Sequence, residues 1–346
     1  MKDGKHYCIL TQNAIEKYDY AKASKVGEVV NFSGLDLKGY VVDYQFSKDE
    51  SKVLLILNPE MIYRHSYLAD CFVYDIATKK ITPVAKEKVR LAEFSPNSQK
   101  VAYVSNNNIF IFDLASLQTK QITTDGEYNY TINGTTDWVY EEEFAITKGF
   151  FWSNDSEKIA YYKFDESKVK QFSMTIYGDL YPEEYVYKYP KAGEDNSVVE
   201  IFVYDLKNDK TNHIDMGLNK DIYLPRLQWT PNDEVFIHKL NRHQNQYELF
   251  IASTNDFKPK KIYEERNQYY IEQVEDVVFL NTKTNITPSA FYGTKWLGNF
   301  TDEFVEAFNM ADVSYLTEID SNREKQEDYP GVTSHMIIDK LNNGVT

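Results

Sequence analysis

The sequence is poor in the patterns on which catalytic and metal chemistry most often rest. Its 14 glycines form no Gly-x-Ser-x-Gly elbow, no Gly-x-Gly-x-x-Gly fingerprint and no Gly-Lys-Ser/Thr loop, so neither a nucleophile turn nor a phosphate cradle is expected. Two cysteines, Cys8 and Cys71, make no Cys-x-x-Cys pair and lie in apolar runs, where a free buried thiol is expected. The histidines, His6, His65, His213, His238, His243 and His335, are scattered without a His-Glu-x-x-His pair. No metal and no cofactor are therefore expected. The longest aliphatic run, Val53 to Leu57, falls far short of the ~20 residues that cross a bilayer, which excludes a transmembrane helix. The opening Met1-Lys2-Asp3-Gly4-Lys5-His6 has no apolar stretch of signal-peptide kind. Positive charge is also scarce: 38 Lys and Arg stand against 53 Asp and Glu, a net charge of −15. Such a field repels nucleic acid and anionic membrane, and favours cationic or amine-bearing ligands.

What the sequence does have is length, aromatic residues and a repeat. At 346 residues it exceeds the roughly 250–300 at which one hydrophobic core stops growing, which implies two units or a modular architecture. One element recurs: an aromatic residue, a small hydroxyl residue, a polar turn and an apolar run. It reads Phe46-Ser47 leading to Val53–Ile56, Phe94-Ser95 to Val101–Val104, Trp152-Ser153 to Ile159–Tyr162, and Trp229-Thr230 to Val235–Ile237. A third run ending in aromatic-Asp-aliphatic follows the first three copies, at Tyr74-Asp75-Ile76, Phe112-Asp113-Leu114 and Tyr204-Asp205-Leu206. Four short antiparallel strands per unit predict an all-β fold, a partial β-propeller, with a stack of sandwich domains as the competitor. A partial unit at residues 6–30 brings the expectation to four or five blades before residue 281. Two insertions interrupt the pattern, at 125–147 and 172–196, and long excursions of this kind are usually functional.

Beyond 281 the pattern changes. Phe300, Phe304, Val305, Phe308 and Ala311 recur at helical spacing after Thr301, and Pro330-Gly331 precedes a second amphipathic stretch. Residues 282–346 are thus expected to form a small α/β tail after a propeller of residues 1–281.

The candidate site is Asp137-Trp138-Val139-Tyr140-Glu141-Glu142-Glu143-Phe144, inside the first insertion. Adjacent carboxylates on one face repel unless a cation joins them, and an ammonium group suits such a pair. On a strand neighbouring side chains face opposite ways, so a joint role requires a turn or a short helix. The alternative is a solvated acidic loop. Asp205-x-Lys207-x-Asp209 superficially suggests a calcium loop, but it lacks the glycine and falls where a hairpin turn is expected.

This string resembles the double-glutamate segment of the dipeptidyl peptidase IV family, within the prolyl oligopeptidase class of serine peptidases. Two further motifs carry the resemblance, Arg64-His65-Ser66-Tyr67 and Tyr189-Pro190-Lys191-Ala192-Gly193. It spans roughly residues 5–281, about four to five blades of the family's eight. The resemblance implies that Glu142 and Glu143 bind the free N-terminus of a peptide and that Arg64 holds a substrate carbonyl. It implies release of N-terminal dipeptides after proline or alanine, and a homodimer through the Phe172–Asn196 arm. An extracytoplasmic location also follows from it. Catalysis in the family uses a Ser-Asp-His triad on a C-terminal hydrolase domain. That domain is not expected here, so no catalytic residue is assigned and the chain alone is expected to be inert. The class-level alternative is a non-enzymatic propeller that binds protein. Residues 290–344, through Asp302–Phe308, Asn322-Arg323-Glu324-Lys325 and Pro330–Ser334, are more weakly similar to the C-terminal domain of the Mur ligase that joins an amino acid to UDP-N-acetylmuramate. No ligase activity is implied, because the ATP loop is absent.

Overall fold

Each copy of the aromatic-hydroxyl motif closes one strand-turn-strand corner. The hydroxyls of Ser47, Ser95 and Ser153 are buried and donate to Asp49, Asn97 and Asp155 at 2.7, 2.7 and 2.5 Å. The same oxygens accept the amides of Lys52, Lys100 and Lys158 at 2.9–3.0 Å. The turn is thus held by a side chain small enough to be enclosed by it. The fourth residue of every corner, Glu50, Ser98, Ser156 and Asp233, has a positive φ of 55–64°. Three of these side chains also reach the preceding corner. The Asp49 amide donates to Ser98 (3.3 Å), the Asn97 amide to Ser156 (2.9 Å) and the Asn154 amide to Asp233 (2.7 Å).

The computed structural model describes residues 1–272, 276–279 and 286–289. The chain divides into two compact units, Met1–Ile271 and Glu272–Thr346. In the first, β1 (His6–Leu10), β2 (Ala14–Asp19) and β3 (Ser24–Asn31) form a three-stranded sheet. A second sheet holds β4 (Val41–Phe46), β5 (Lys52–Met61), β6 (Tyr67–Asp75) and β7 (Ile81–Pro83) in chain order. A third holds β8 (Arg90–Phe94), β9 (Lys100–Ser105), β10 (Asn108–Asp113) and β11 (Thr119–Gln121). The fourth combines β12 (Thr131–Asn133), β13 (Phe150–Trp152), β14 (Lys158–Asp165), β17 (Val198–Asp205) and β18 (Lys210–Ile214). Between its strands lie the helix α1 (Trp138–Phe144) and a separate two-stranded arm, β15 (Gln171–Ile176) with β16 (Glu183–Lys188). The fifth has β19 (Ile222–Tyr223), β20 (Leu227–Trp229), β21 (Val235–Asn241), β22 (Gln246–Ala252) and β23 (Pro259–Arg266). The described part of the second unit is one antiparallel hairpin, β24 (Asp276–Phe279) with β25 (Ile286–Ser289). The helices expected beyond residue 300 lie outside the described residues.

The sheets pack in chain order, and this explains the apolar runs. Val53, Leu55 and Leu57 of β5 meet Ile15 and Val30 of the first sheet, while Leu54 meets Phe94, Val101 and Tyr103 of the third. Val101 and Tyr103 of β9 face back to the second sheet, whereas Ala102 and Val104 face Phe150, Ile159 and Tyr161 of the fourth. A second strand covered on both faces has no solvent side and so no polar alternation. The architecture is the expected one, a partial β-propeller of antiparallel blades, and the described residues do not close a ring. Asp205 accepts the amides of Lys207 and Asn208, both at 2.9 Å. This is the hairpin turn the sequence implies at that position. Cys71 is buried and Cys8 half-buried, both free.

The inner strand of the fourth sheet is split. β13 pairs with residues 159–161 of β14 and β12 with residues 163–165, and the insertion bearing α1 leaves through the gap. Its neck is two glycines: the Gly134 amide donates to Tyr162 O (3.0 Å), the Tyr162 amide to Gly149 O (2.8 Å), and the Gly149 amide to Gly134 O (3.1 Å). Gly134 has φ +77°, and a Cβ there would lie 2.4 Å from Ile109; one on Gly149 would lie 2.7 Å from the Thr135 carbonyl. A side chain on Gly149 would require backbone movement, and one on Gly134 would displace the Ile109 side chain and hold a strained positive φ.

The corner-to-corner bonds yield a prediction. Ser156→Ala removes the acceptor of the half-buried Asn97 contact, and is expected to lower unfolding free energy by about 1 kcal/mol with an unchanged denaturant slope. Equilibrium urea unfolding measures it.

Candidate functional site

α1 begins because Asp137 caps it: the Tyr140 amide donates to the Asp137 carboxylate (2.9 Å), whose other oxygen accepts the Ser197 hydroxyl. It ends at Ala145, whose φ of 54° turns the chain out of the helix. Along a helix successive side chains are rotated by about 100°, so three adjacent glutamates cannot share a face. Glu141 falls on the side of Asp137 and Phe144 and is fully buried, Glu142 is half-buried, and Glu143 is exposed.

Glu141 is the fixed member. Its Oε1 accepts the consecutive backbone amides of His65 (2.7 Å) and Ser66 (2.8 Å). These belong to the loop between β5 and β6, some 75 residues away in sequence. The bond draws that loop onto α1, and Arg64 then lies with Nε 3.4 Å from Glu142 Oε2. The Arg64 side chain is 71% exposed and that of Glu142 16%. A solvated pair of this kind contributes under about 1 kcal/mol, so it orients the groups rather than stabilising the fold. Glu142, Glu143 and Arg64 together leave one negative charge uncompensated, the complement of one ammonium ion.

The other sides of α1 are held by the fifth sheet and the arm. The Leu224 amide donates to the Tyr140 hydroxyl (2.8 Å), and Arg226 Nη1 donates to the Phe144 carbonyl at the helix end (2.9 Å). Leu224 and Arg226 sit where the inner strand of the fifth sheet is itself split, between β19 and β20. Tyr140 is packed against Phe164 (ring centroids 4.9 Å) and Phe144 against Tyr223 (5.1 Å). Trp138 meets Tyr189, at the foot of the arm, at 4.4 Å, and Tyr63 of the Arg64 loop meets Tyr187 at 6.0 Å. Three motifs far apart in sequence, around residues 64, 142 and 189, thus converge on one helix.

With that geometry in place, comparison with known proteins is informative. Residues 47–324 match the family described as the dipeptidyl peptidase IV (DPP IV) N-terminal region. The chain belongs to this family. Saccharomyces cerevisiae dipeptidyl aminopeptidase B is 34% identical over 216 residues, 60% of this chain and 26% of that protein. Mouse prolyl endopeptidase FAP is 29% identical over 270 residues, 71% of this chain and 35% of that protein. The crystal structure of Porphyromonas gingivalis dipeptidyl peptidase 4 superposes with a TM-score of 0.77 at 36% identity, over 81% of this chain and 41% of that one. The chain spans only about a quarter to a third of the length of these curated relatives.

The sequence pointed to Glu142, Glu143 and Arg64, and the structure brings Arg64 to Glu142 with Glu143 beside it on the exposed side. It did not point to Glu141, which positions the loop. The available signal was the i, i+4 spacing from the helix cap Asp137, which puts Glu141 on the inward face. Nor did it point to Glu166, buried just beyond β14. Burial pushes the Glu166 carboxyl up to about 8, the neighbouring charge of Asp137 adds to this, and Lys188 opposes it. Burial likewise raises Asp137. Among the described residues no group of His, Cys, Asp or Glu is placed to hold a metal ion.

Two predictions result. Folded Glu166 keeps its proton where an unfolded glutamic acid, with its ordinary value of 4.5, has lost it. Its contribution to stability is therefore present below about 4.5 and is lost as pH rises through about 8. The melting temperature is expected to fall between those values, and Glu166→Gln to flatten the slope; calorimetric scans across that range measure both. Glu141→Ala leaves the amides of His65 and Ser66, the second of them buried, without an acceptor. It is expected to cost about 2 kcal/mol or more and to accelerate tryptic cleavage after Arg64, read by mass spectrometry.

Proposed function

We propose that this chain is the substrate-gating part of a serine dipeptidyl peptidase, and that Glu142 and Glu143 bind the α-amine of a peptide while Arg64 holds a backbone carbonyl next to it. The observation that carries this reading is the pinning of the Arg64 loop to α1 by Glu141. It brings a cation for the carbonyl, on the loop, beside two carboxylates for the ammonium on one short helix. Charge-assisted hydrogen bonds from an ammonium to two carboxylates are strong and directional. A site that reads the free N-terminus measures distance along the peptide, and so sets how many residues precede the bond to be cut. Release of Xaa-Pro or Xaa-Ala dipeptides is the expected reaction. The Gly-x-Ser-x-Gly elbow that would carry the nucleophile is not among these 346 residues, so this chain is assigned recognition and not bond cleavage.

The arm fits a homodimer contact in this reading. Around the turn between β15 and β16, Tyr177, Leu180 and Tyr181 are 80–90% exposed, a density of bare apolar surface that suits burial against a second copy. The alternative, a non-enzymatic propeller that binds protein, differs in one measurable respect: it has no reason to require a free amine.

Calorimetric titration with Ala-Pro and with N-acetyl-Ala-Pro tests the proposal. The free-amine form is expected to bind at least ~10-fold more tightly, the worth of one charge-assisted contact, and Glu142→Ala or Glu143→Ala to erase that preference. Equal binding of the two peptides by the unaltered chain would overturn it.

A further inference from the structure

The returning strand of the arm carries an aromatic stripe. β16 and the residue after it read Tyr185-Val186-Tyr187-Lys188-Tyr189, and residues two apart on a strand share a face. Tyr185 stacks on Tyr187 (ring centroids 5.3 Å), and Tyr187 meets Tyr189 edge-on (6.1 Å). Phe172, the partner of Tyr187 across the arm, adds a ring 6.2 Å from Tyr187 and 5.6 Å from Tyr189. A two-stranded hairpin has little stability of its own, and this one is ordered from its foot. There the Tyr128 hydroxyl and the Asn129 side-chain amide both donate to the Val186 carbonyl (2.9 and 3.2 Å), and Lys188 Nζ donates to the Val169 carbonyl (2.6 Å). Farther out, Ser173–Ile176 and Glu183-Glu184 are exposed.

The stripe touches both halves of the candidate site. Tyr187 meets Tyr63, the residue before Arg64, at 6.0 Å, and Tyr189 meets Trp138, the first residue of α1, at 4.4 Å. Trp138 lies one turn ahead of Glu142, and residues four apart share a helix face, so a rotation of α1 that moved Trp138 would carry Glu142 with it. The other restraint between loop and helix is narrow, because both amide bonds to Glu141 end on a single oxygen. A single pivot fixes where the two elements meet but not their relative orientation. Nor does the contact of Arg64 with Glu142 fix it, since the arginine is mostly in water. Two neighbouring rings of one stripe, one against each element, supply that second restraint.

We infer that Tyr187 and Tyr189, at the foot of the arm, are positioning residues of the recognition site, holding Arg64 and Glu142 in register within one chain. The inference rests on the reading of Glu142 and Glu143 as ligands of a peptide amine. Calorimetric titration of the full chain with Ala-Pro and N-acetyl-Ala-Pro tests it. Tyr187→Leu and Tyr189→Leu are each expected to reduce the preference for the free amine ~3- to 10-fold, the range of one aromatic pair. Tyr187→Phe and Tyr189→Phe keep the rings and are expected to retain the preference. Tyr63→Leu repeats the loss from the side of the loop, and adding Tyr187→Leu to it is expected to change little, the mark of a shared contact. Leu180→Ser, at the exposed tip of the arm, is expected to leave the preference intact. A second readout needs no ligand: in Tyr187→Leu, tryptic cleavage after Arg64 is expected to rise at least ~3-fold relative to cleavage after Lys22, which lies in an exposed turn of the first sheet. Unchanged preference in both Leu variants, with an unchanged cleavage ratio, would overturn the inference. An equal loss in Leu180→Ser would overturn it too, because the effect would then run through the tip and not the foot. If the unaltered chain binds both peptides alike, the amine reading fails by itself and the cleavage ratio decides: a rise upholds the foot as the support of the Arg64 loop, and no rise removes it.

Discussion

The geometry of the candidate site hangs on one carboxylate oxygen. Oε1 of Glu141 accepts two consecutive amides from a loop in the second sheet, while Glu141 itself rides on a helix inserted in the fourth. The two amides on Oε1 offset part of the cost of burying the carboxylate, so the helix and the loop support each other's burial. Arg64 owes its place to this bond, not to its own weak contact with Glu142. A positively charged side chain that is mostly in water would otherwise sample many directions, and its loop would gain little by pointing it at α1.

The helix is itself held from three directions, which is unusual for seven residues. A helix this short has no stability of its own in water. Its cap on Asp137, the Tyr140 bond to the fifth sheet and the Arg226 bond to its last carbonyl substitute for length. Two of these partners come from the place where the inner strand of the fifth sheet is interrupted, and the helix leaves the fourth sheet where that strand is interrupted in the same way. Irregularity in the two blades is thus matched: the Leu224 amide left over in one, and the Arg226 side chain beside it, are used by the excursion from the other.

The blades were legible because their corners are local. An aromatic residue, a buried hydroxyl and a positive-φ residue within five positions specify a turn whatever surrounds it, and the continuous apolar runs after Val53 and Val101 record that both faces are covered. A break in the strand pattern was legible too, as a turn or a short helix, since three adjacent carboxylates can serve a common purpose only if the strand is interrupted there. The division of labour among those carboxylates was not. Whether a glutamate on α1 points to water or to the amides of residues 65 and 66 depends on a fold that brings together positions some 75 residues apart, and no window of sequence contains both. The family resemblance supplied the pair Glu142 and Glu143 but said nothing of the residue beside them that holds the frame.

The glycine neck of the insertion has a consequence for how such a protein can change. The two half-strands on either side of Gly134 and Gly149 are registered on β14 by their own hydrogen bonds, and the neck is shut by a bond between the two glycines. Everything between them is therefore a closed excursion whose contour length does not enter the alignment of the blade. Residues can be gained, lost or exchanged in the loop without shifting a single pair in the sheet beneath it. The insertion is in this sense a cartridge seated in a fixed socket, free to diverge while the blade that carries it stays the same.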